Sequence, residues 1–173
     1  MISVERSSLE GVLVITPPTI FEDHRGTYVE LYNQAAYRDA GIDIDFVQDD
    51  ISTSRRDVLR GIHGDSETWK LISCLQGSFY LVVVNCDQAS SDFSKWEAFV
   101  LSDRNNRQVL VPPNHGNRHL VLTESAIFHY KQSTYYNRES QFTFAFDDPR
   151  FSIWWPVKDV ITSERDRSTK TQP

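Results

Sequence analysis

Leu71-Ile-Ser-Cys-Leu75, the turn Gln76-Gly77-Ser78 and Phe79-Tyr-Leu-Val-Val-Val84 decide the fold class. Two short apolar runs, the second rich in valine, flank a glycine-bearing turn, which predicts an antiparallel hairpin. The same pattern recurs along the chain. Residues 11–16 are β-branched and stopped by Pro17-Pro18, and residues 27–32 alternate after Gly26. Further strands are predicted over 96–101, 108–111, 118–122, 127–132 and 141–146. Only residues 34–40 and the charged stretch from Thr162 read as helical, and both are short. A parallel sheet needs long crossover helices between its strands, and the sequence has no room for them. The expected fold is all-β, an antiparallel sandwich or barrel.

With 173 residues, 39% of them hydrophobic and 24% charged, the chain has the size and composition of one globular domain. It shows no repeat or linker, so one domain over 1–173 is expected, with a flexible tail after about residue 167. No apolar run reaches the roughly 18–20 residues of a membrane span. The opening Met-Ile-Ser-Val-Glu-Arg lacks an apolar signal core, and Cys74 and Cys86 do not make a disulfide framework. A cytoplasmic protein that does not bind membranes is expected. Eighteen basic against 24 acidic residues give a net charge of −6, which argues against a nucleic-acid partner. Arg55, Arg56 and Arg60 form a local basic cluster, suited to a phosphate or simply to a solvated loop.

The stretch Leu59-Arg-Gly-Ile-His-Gly-Asp-Ser-Glu-Thr-Trp-Lys70 carries the most chemistry. Two strand ends joined by a short turn would set His63 and Lys70 on neighbouring antiparallel strands. Histidine suits a base near neutral pH, and a fixed ammonium stabilises a developing oxyanion. The plainer alternative is a packed histidine and a lysine reaching solvent. A metal site is another reading, with His63, Asp65, Glu67 and His119 as ligands. A His-x-His pair is incomplete, because Asp65 stands where its second histidine would be, though His119 and a carboxylate could still complete a two-histidine, one-carboxylate set. In Ile127-Phe-His-Tyr-Lys-Gln132, alternation puts Tyr130 with Phe128 and Gln132, and His129 with Lys131 on the other face. A tyrosine among apolar neighbours is either a proton donor or a core ring.

In order along the chain, Phe21-Glu-Asp-His-Arg-Gly-Thr-Tyr-Val-Glu30, Phe46-Val-Gln-Asp-Asp-Ile-Ser52, Val58-Leu-Arg-Gly-Ile-His63, Lys70-Leu-Ile, Trp96, Val111-Pro112, Tyr130-Lys131, Tyr135-Tyr136, Asp147-Asp-Pro149, residues 153–156 and Ser163-Glu-Arg-Asp166 resemble the dTDP-4-dehydrorhamnose 3,5-epimerase family. The resemblance implies a cupin-type antiparallel jelly roll, a homodimer, and chemistry without metal or other cofactor. It implies His63 as the base beside a 4-keto group, Asp166 as its orienting carboxylate, Lys70 as the enolate stabiliser and Tyr130 as the opposing acid. Arg25, Gln48 and Arg60 would hold diphosphate and sugar, Tyr28 and Glu30 would reach the nucleotide across the dimer, Tyr136 would line the sugar pocket, and Asn117 and His119 would also bind substrate. On an unbroken strand Arg60 and His63 point to opposite faces, so Gly61 between them is expected to license a bulge.

The family's Gly-Phe-Ala-His-Gly-Phe stretch has Asn117 at its histidine, and its Gln-x-Asn motif has Asp50 at its asparagine. The short loop after His63 is similar to a subgroup acting on GDP-linked 4-keto heptoses or hexoses. The expected function is inversion of C3, C5 or both of an NDP-4-keto-6-deoxyhexose or NDP-4-keto-heptose, in polysaccharide or deoxysugar synthesis. The alternatives are an NDP-4-keto-sugar 3,4-ketoisomerase and a non-catalytic cupin that binds a sugar nucleotide.

Overall fold

A computed structural model describes residues 2–18 and 20–170. The chain folds into two facing antiparallel sheets and one separate hairpin. The strands are β1 (Ser3–Arg6), β2 (Leu13–Thr16), β3 (Ile20–Asp23), β4 (Gly26–Val29), β5 (Gln48–Arg55), β6 (Leu59–Gly64), β7 (Lys70–Gln76), β8 (Ser78–Asn85), β9 (Trp96–Ser102), β10 (Gln108–Val111), β11 (His115–Val121), β12 (Ser125–Gln132) and β13 (Phe142–Thr143). One helix, α1 (Gln34–Asp39), precedes β5, and a 3-10 turn, η1 (Arg165–Arg167), follows β13. The first sheet runs β1-β2-β10-β7-β12-β5, the second β13-β6-β11-β8-β9, and β3 pairs with β4 in a two-stranded sheet. This is the expected all-β jelly-roll architecture.

The predicted hairpin over 71–84 is two strands but not a hairpin. β7 sits between β10 and β12, whereas β8 lies in the other sheet between β11 and β9. Gly77, at φ +75°, turns the chain from one sheet to the other. The corner is held from outside, because Asp103 accepts from Gly77 N at 2.9 Å and Thr123 Oγ1 from Ser78 N at 2.9 Å. Both strands bury long apolar runs, so opposite sheets cover them better than a two-stranded ribbon would. His63 and Lys70 therefore stand on facing sheets, not on neighbouring strands.

Between the sheets, Ile72, Phe79, Leu81, Val83, Leu101 and Val109 are among the fully buried residues of the central core. Phe128 and Tyr130 pack at its edge, and beyond them the space between the sheets opens into a cavity. β6 carries the expected bulge. Asn117 pairs with His63 and His119 with Arg60, so three residues on β6 span the distance of two on β11. That extra residue brings Arg60 and His63 to the same cavity.

The chain end is more ordered than the sequence implies. Thr143 and Lys170 exchange backbone hydrogen bonds of 2.6 and 2.7 Å, and Ala145 N donates to Thr169 Oγ1. The flexible tail expected after about 167 is thus fixed through Lys170, and 171–173 lie outside the described residues. Helical structure from Thr162 is confined to η1. β5 was not evident in the sequence because its eight residues are mostly polar.

Gly61 is irreplaceable on two counts. Its φ is +110°, and an added Cβ would sit 2.3 Å from the carbonyl oxygen of Asn117. Gly61→Ala should cost about 3 kcal/mol or more, lowering the thermal midpoint by about 6–12 °C. Gly41→Ala serves as the control: φ is +87° there but nothing lies within 4 Å, so only conformational strain of about 1 kcal/mol is expected. Calorimetry placing Gly61→Ala level with Gly41→Ala would contradict this view of the bulge.

Candidate active site

The cavity, about 440 Å³, is walled by β5, β7 and β12 on one side and β6 and β11 on the other. At its floor His63 Nε2 lies 2.7 Å from Asp166 Oδ1. Asp166 reaches this position because the segment before η1 adds to the start of β6: Leu59 N donates to Ile161 O and Ile161 N to Asp57 O, each at 2.8 Å. Ser163 Oγ then donates to Asp166 Oδ2 at 2.9 Å. Asp166 is only 3% exposed. Burial pushes its carboxyl upward, but His63, Ser163 and Arg118 outweigh that and hold it below the ordinary aspartate value. Burial draws His63 below the usual histidine value; Asp166 opposes this, and the charges of Arg165 and Lys70 reinforce it. At neutral pH the ring is an unprotonated base beside a carboxylate.

Lys70 enters from β7 in the facing sheet and is 5% exposed. Its Nζ is 3.5 Å from Asn117 Oδ1. Burial lowers its pKa, Asp65 works the other way, and Arg165 adds to the lowering. A cation so poorly solvated gains most when negative charge appears beside it. Tyr130, on β12, has its phenol pushed up to about 12, first by burial and then by the charge of Asp50, by Tyr136 and by a hydrogen bond to Asp50. It is a group that holds its proton. Asp50 is paired with Tyr130 across β5 and β12, and its Oδ2 accepts from Gln48 and Gln132 Nε2 at 2.8 Å each.

Gln48, Arg60, Asn117, His119 and Tyr136 line the same cavity as the four central residues. Arg60 Nε donates to Ser54 Oγ at 2.9 Å, and Gln48 Oε1 accepts from Tyr136 N at 2.9 Å. His119 stacks on Phe128 at 4.1 Å between ring centroids, and burial pulls it to about 3, so it stays neutral. Arg25, Tyr28 and Glu30 are not brought to this cavity. Arg25 is exposed on the β3–β4 hairpin and paired with Asp23 at 2.6 Å, and Tyr28 is 65% exposed. Sequence reasoning missed Arg165, Gln141 and Ser163 as wall residues. Arg165 donates to Gln141 Oε1 at 3.0 Å and, at 3.5 Å, to Tyr136 Oη. Its adjacency to Asp166 was the available signal.

The alternative metal set is not assembled. Asp65 Oδ1 accepts from the backbone of Glu67 and Thr68 at 3.0 and 2.7 Å, closing a turn. Among the described residues no three His, Cys, Asp or Glu side chains cluster for a metal ion.

A family model described as dTDP-4-dehydrorhamnose 3,5-epimerase matches residues 6–172. The chain is 35% identical over 170 residues to a dTDP-4-dehydrorhamnose 3,5-epimerase of Methanothermobacter thermautotrophicus, covering 95% of this chain and 91% of the relative. A dTDP-6-deoxy-D-glucose-3,5-epimerase from Legionella pneumophila, solved in complex with dTDP-4-keto-L-rhamnose, has a TM-score of 0.90 at 34% identity, covering 96% of this chain and 90% of that one. ChmJ, a 3'-monoepimerase from Streptomyces bikiniensis solved with dTDP-quinovose, has a TM-score of 0.87 at 30% identity, with coverages of 95% and 85%.

The electrostatics of the His63–Asp166 pair can be read by NMR. In the unliganded protein the His63 ring should titrate below the ordinary histidine value of about 6.5. Asp166→Asn removes the contribution that raises it and should lower the midpoint further. A parent midpoint above 6.5, or one that Asp166→Asn raises, would contradict the arrangement.

Proposed function

Because the chain belongs to the dTDP-4-dehydrorhamnose 3,5-epimerase family, and so to the isomerases that epimerise carbohydrates, we propose that it inverts C3, C5 or both of a dTDP-linked 4-keto sugar, with His63 as base and Tyr130 as acid. The observation that carries the roles is the placement of the two groups. His63 stands on the five-stranded sheet and Tyr130 on the six-stranded sheet, and both line one cavity. A sugar carbon held between them loses its proton on one face, and the planar enolate so formed is reprotonated from the other.

Each step has a group fitted to it. Asp166 occupies Nε2 of His63, leaving Nδ1 to take the proton beside the C4 ketone. As that C–H bond breaks, its electron pair moves toward the carbonyl and O4 gains charge. Lys70, buried and short of acceptors, is the cation that meets it. Tyr130 then gives its proton to carbon, and the neighbouring carboxylate of Asp50 favours the phenol's recovery of a proton from solvent. Arg60 and Arg165 supply positive charge at the wall for a diphosphate. This scheme works without a metal, since the lysine answers the enolate charge. The names of the matched relatives support a dTDP sugar; a pure sugar-nucleotide binder would have no use for an opposed base and acid.

A homodimer is part of the proposal. Among the described residues the β3–β4 hairpin has no third strand, and Phe21 and Tyr28 on it are 67% and 65% exposed. A free two-stranded hairpin is marginal in water, so a second copy is the natural cover. That placement would carry Arg25, Tyr28 and Glu30 to the partner's cavity. Light scattering should give twice the chain mass of 20.0 kDa, and full activity from a monomer would count against it.

The two proton transfers separate in D2O. His63→Asn should abolish both inversion and deuterium wash-in, by about 10²–10⁴-fold. Tyr130→Phe should lose inversion but keep wash-in on the original face, because the enolate still forms and returns. Normal inversion by Tyr130→Phe, together with wash-in by His63→Asn, would move both roles to other residues.

A further inference from the structure

Arg118 is 0% exposed, on β11 between the cavity residues Asn117 and His119. Strand alternation turns it away from the cavity, into the layer behind the wall. There its guanidinium lies 5.5 Å from the ring centre of Phe146 and 5.6 Å from that of Trp155. Among the described residues, none of its three side-chain nitrogens has a hydrogen-bond acceptor. A cation buried in this way costs folding free energy that two ring faces return only in part. A function that requires the charge explains its presence.

The residue it serves is close by. Phe146, under the guanidinium, donates its N–H to the carbonyl of Asp166 at 3.1 Å. Asp166 and Asp147 are the acids whose charges act on Arg118. We propose that Arg118 is a positioning residue that, from behind the cavity wall, keeps Asp166 a carboxylate and limits how readily the His63–Asp166 pair takes up a proton. This inference rests on His63 as the base. The pair is polarised at one end by a fixed cation and at the other by the reaction.

Other charges around the pair set the background. Arg165 beside Asp166 and Lys70 from β7 both disfavour a proton on His63. Arg60 on β6 faces the same space, while His119 on β11 is neutral. Burial brings the guanidinium down to about 9, so it remains a cation across the range where His63 titrates. Its removal makes the pair more proton-loving, and the midpoint must rise.

The test uses Arg118→Met and Arg118→Gln, which remove the charge, and Arg118→Lys, which keeps it. NMR should show the His63 midpoint of the unliganded protein rising by about 0.5–1 pH unit in the two neutral variants and by less than about 0.3 in Arg118→Lys. The acidic limb of kcat/KM should move up by the same amount, with the plateau within about threefold of the parent. A residue that only filled space would leave the limb where it is. Midpoints in the neutral variants that match or fall below the parent's, or an equal shift in Arg118→Lys, would overturn the proposal. A midpoint that moves while the kinetic limb stays would uphold Arg118's effect on the pair and instead remove His63 from the role of base. If one neutral variant fails to fold, the other and the lysine variant carry the comparison.

Discussion

The contact of 2.7 Å between His63 and Asp166 is the constraint on which the rest of the site depends. It joins a strand in the middle of the chain to a 3-10 turn near its end, and neither is in place without special local structure. His63 faces the cavity together with Arg60 only because Gly61 adds a residue to β6. Asp166 arrives only because residues 57–59 and Ile161 tie the C-terminal segment to the start of the same strand. Thr143 and Lys170 close that segment from the other side. The late part of the chain is therefore a wall of the site.

Charge inside the cavity is arranged unequally. Lys70, Arg60 and Arg165 line it against Asp50 and Asp166, and Arg118 stands behind. Lys70 and Arg118 are buried, which is costly in an empty protein and useful once an anionic ligand and an enolate oxygen are present. The same logic keeps the two titrating roles apart. His63 is pushed toward its neutral form and Tyr130 toward its protonated form, so the resting site holds a neutral imidazole and a protonated phenol, the states that the proposed base and acid require. The net charge of −6 over the whole chain says nothing of this local excess.

Much of this was legible in the sequence, and what was missed has physical reasons. Alternation marked Tyr130 with Phe128 on one face and His129 with Lys131 on the other; in the fold His129 and Lys131 both contact Asp49. The bulge followed from the need to aim Arg60 and His63 at one place. Sheet membership did not follow, since a run such as 71–84 has the same pattern whether it forms a hairpin or turns a corner between sheets. The contributions of Arg165 and Gln141 lay in tertiary contact between segments of weak periodicity. Arg118 was the least visible, because nothing in a polar residue on a strand announces complete burial. Asn117 and Asp50, where the resemblance expected other residues, both lie in the cavity: one beside Lys70, the other beside Tyr130.

The central claim is that one planar sugar carbon sits between a base and an acid on facing sheets. A crystal structure with a reduced, unreactive dTDP-linked 6-deoxy sugar tests it most directly. The account predicts His63 Nδ1 and the Tyr130 hydroxyl on opposite faces of the same carbon, C3 or C5, with O4 within hydrogen-bond reach of Lys70 Nζ. Both groups on one face of the ring, or O4 turned away from Lys70, would contradict it.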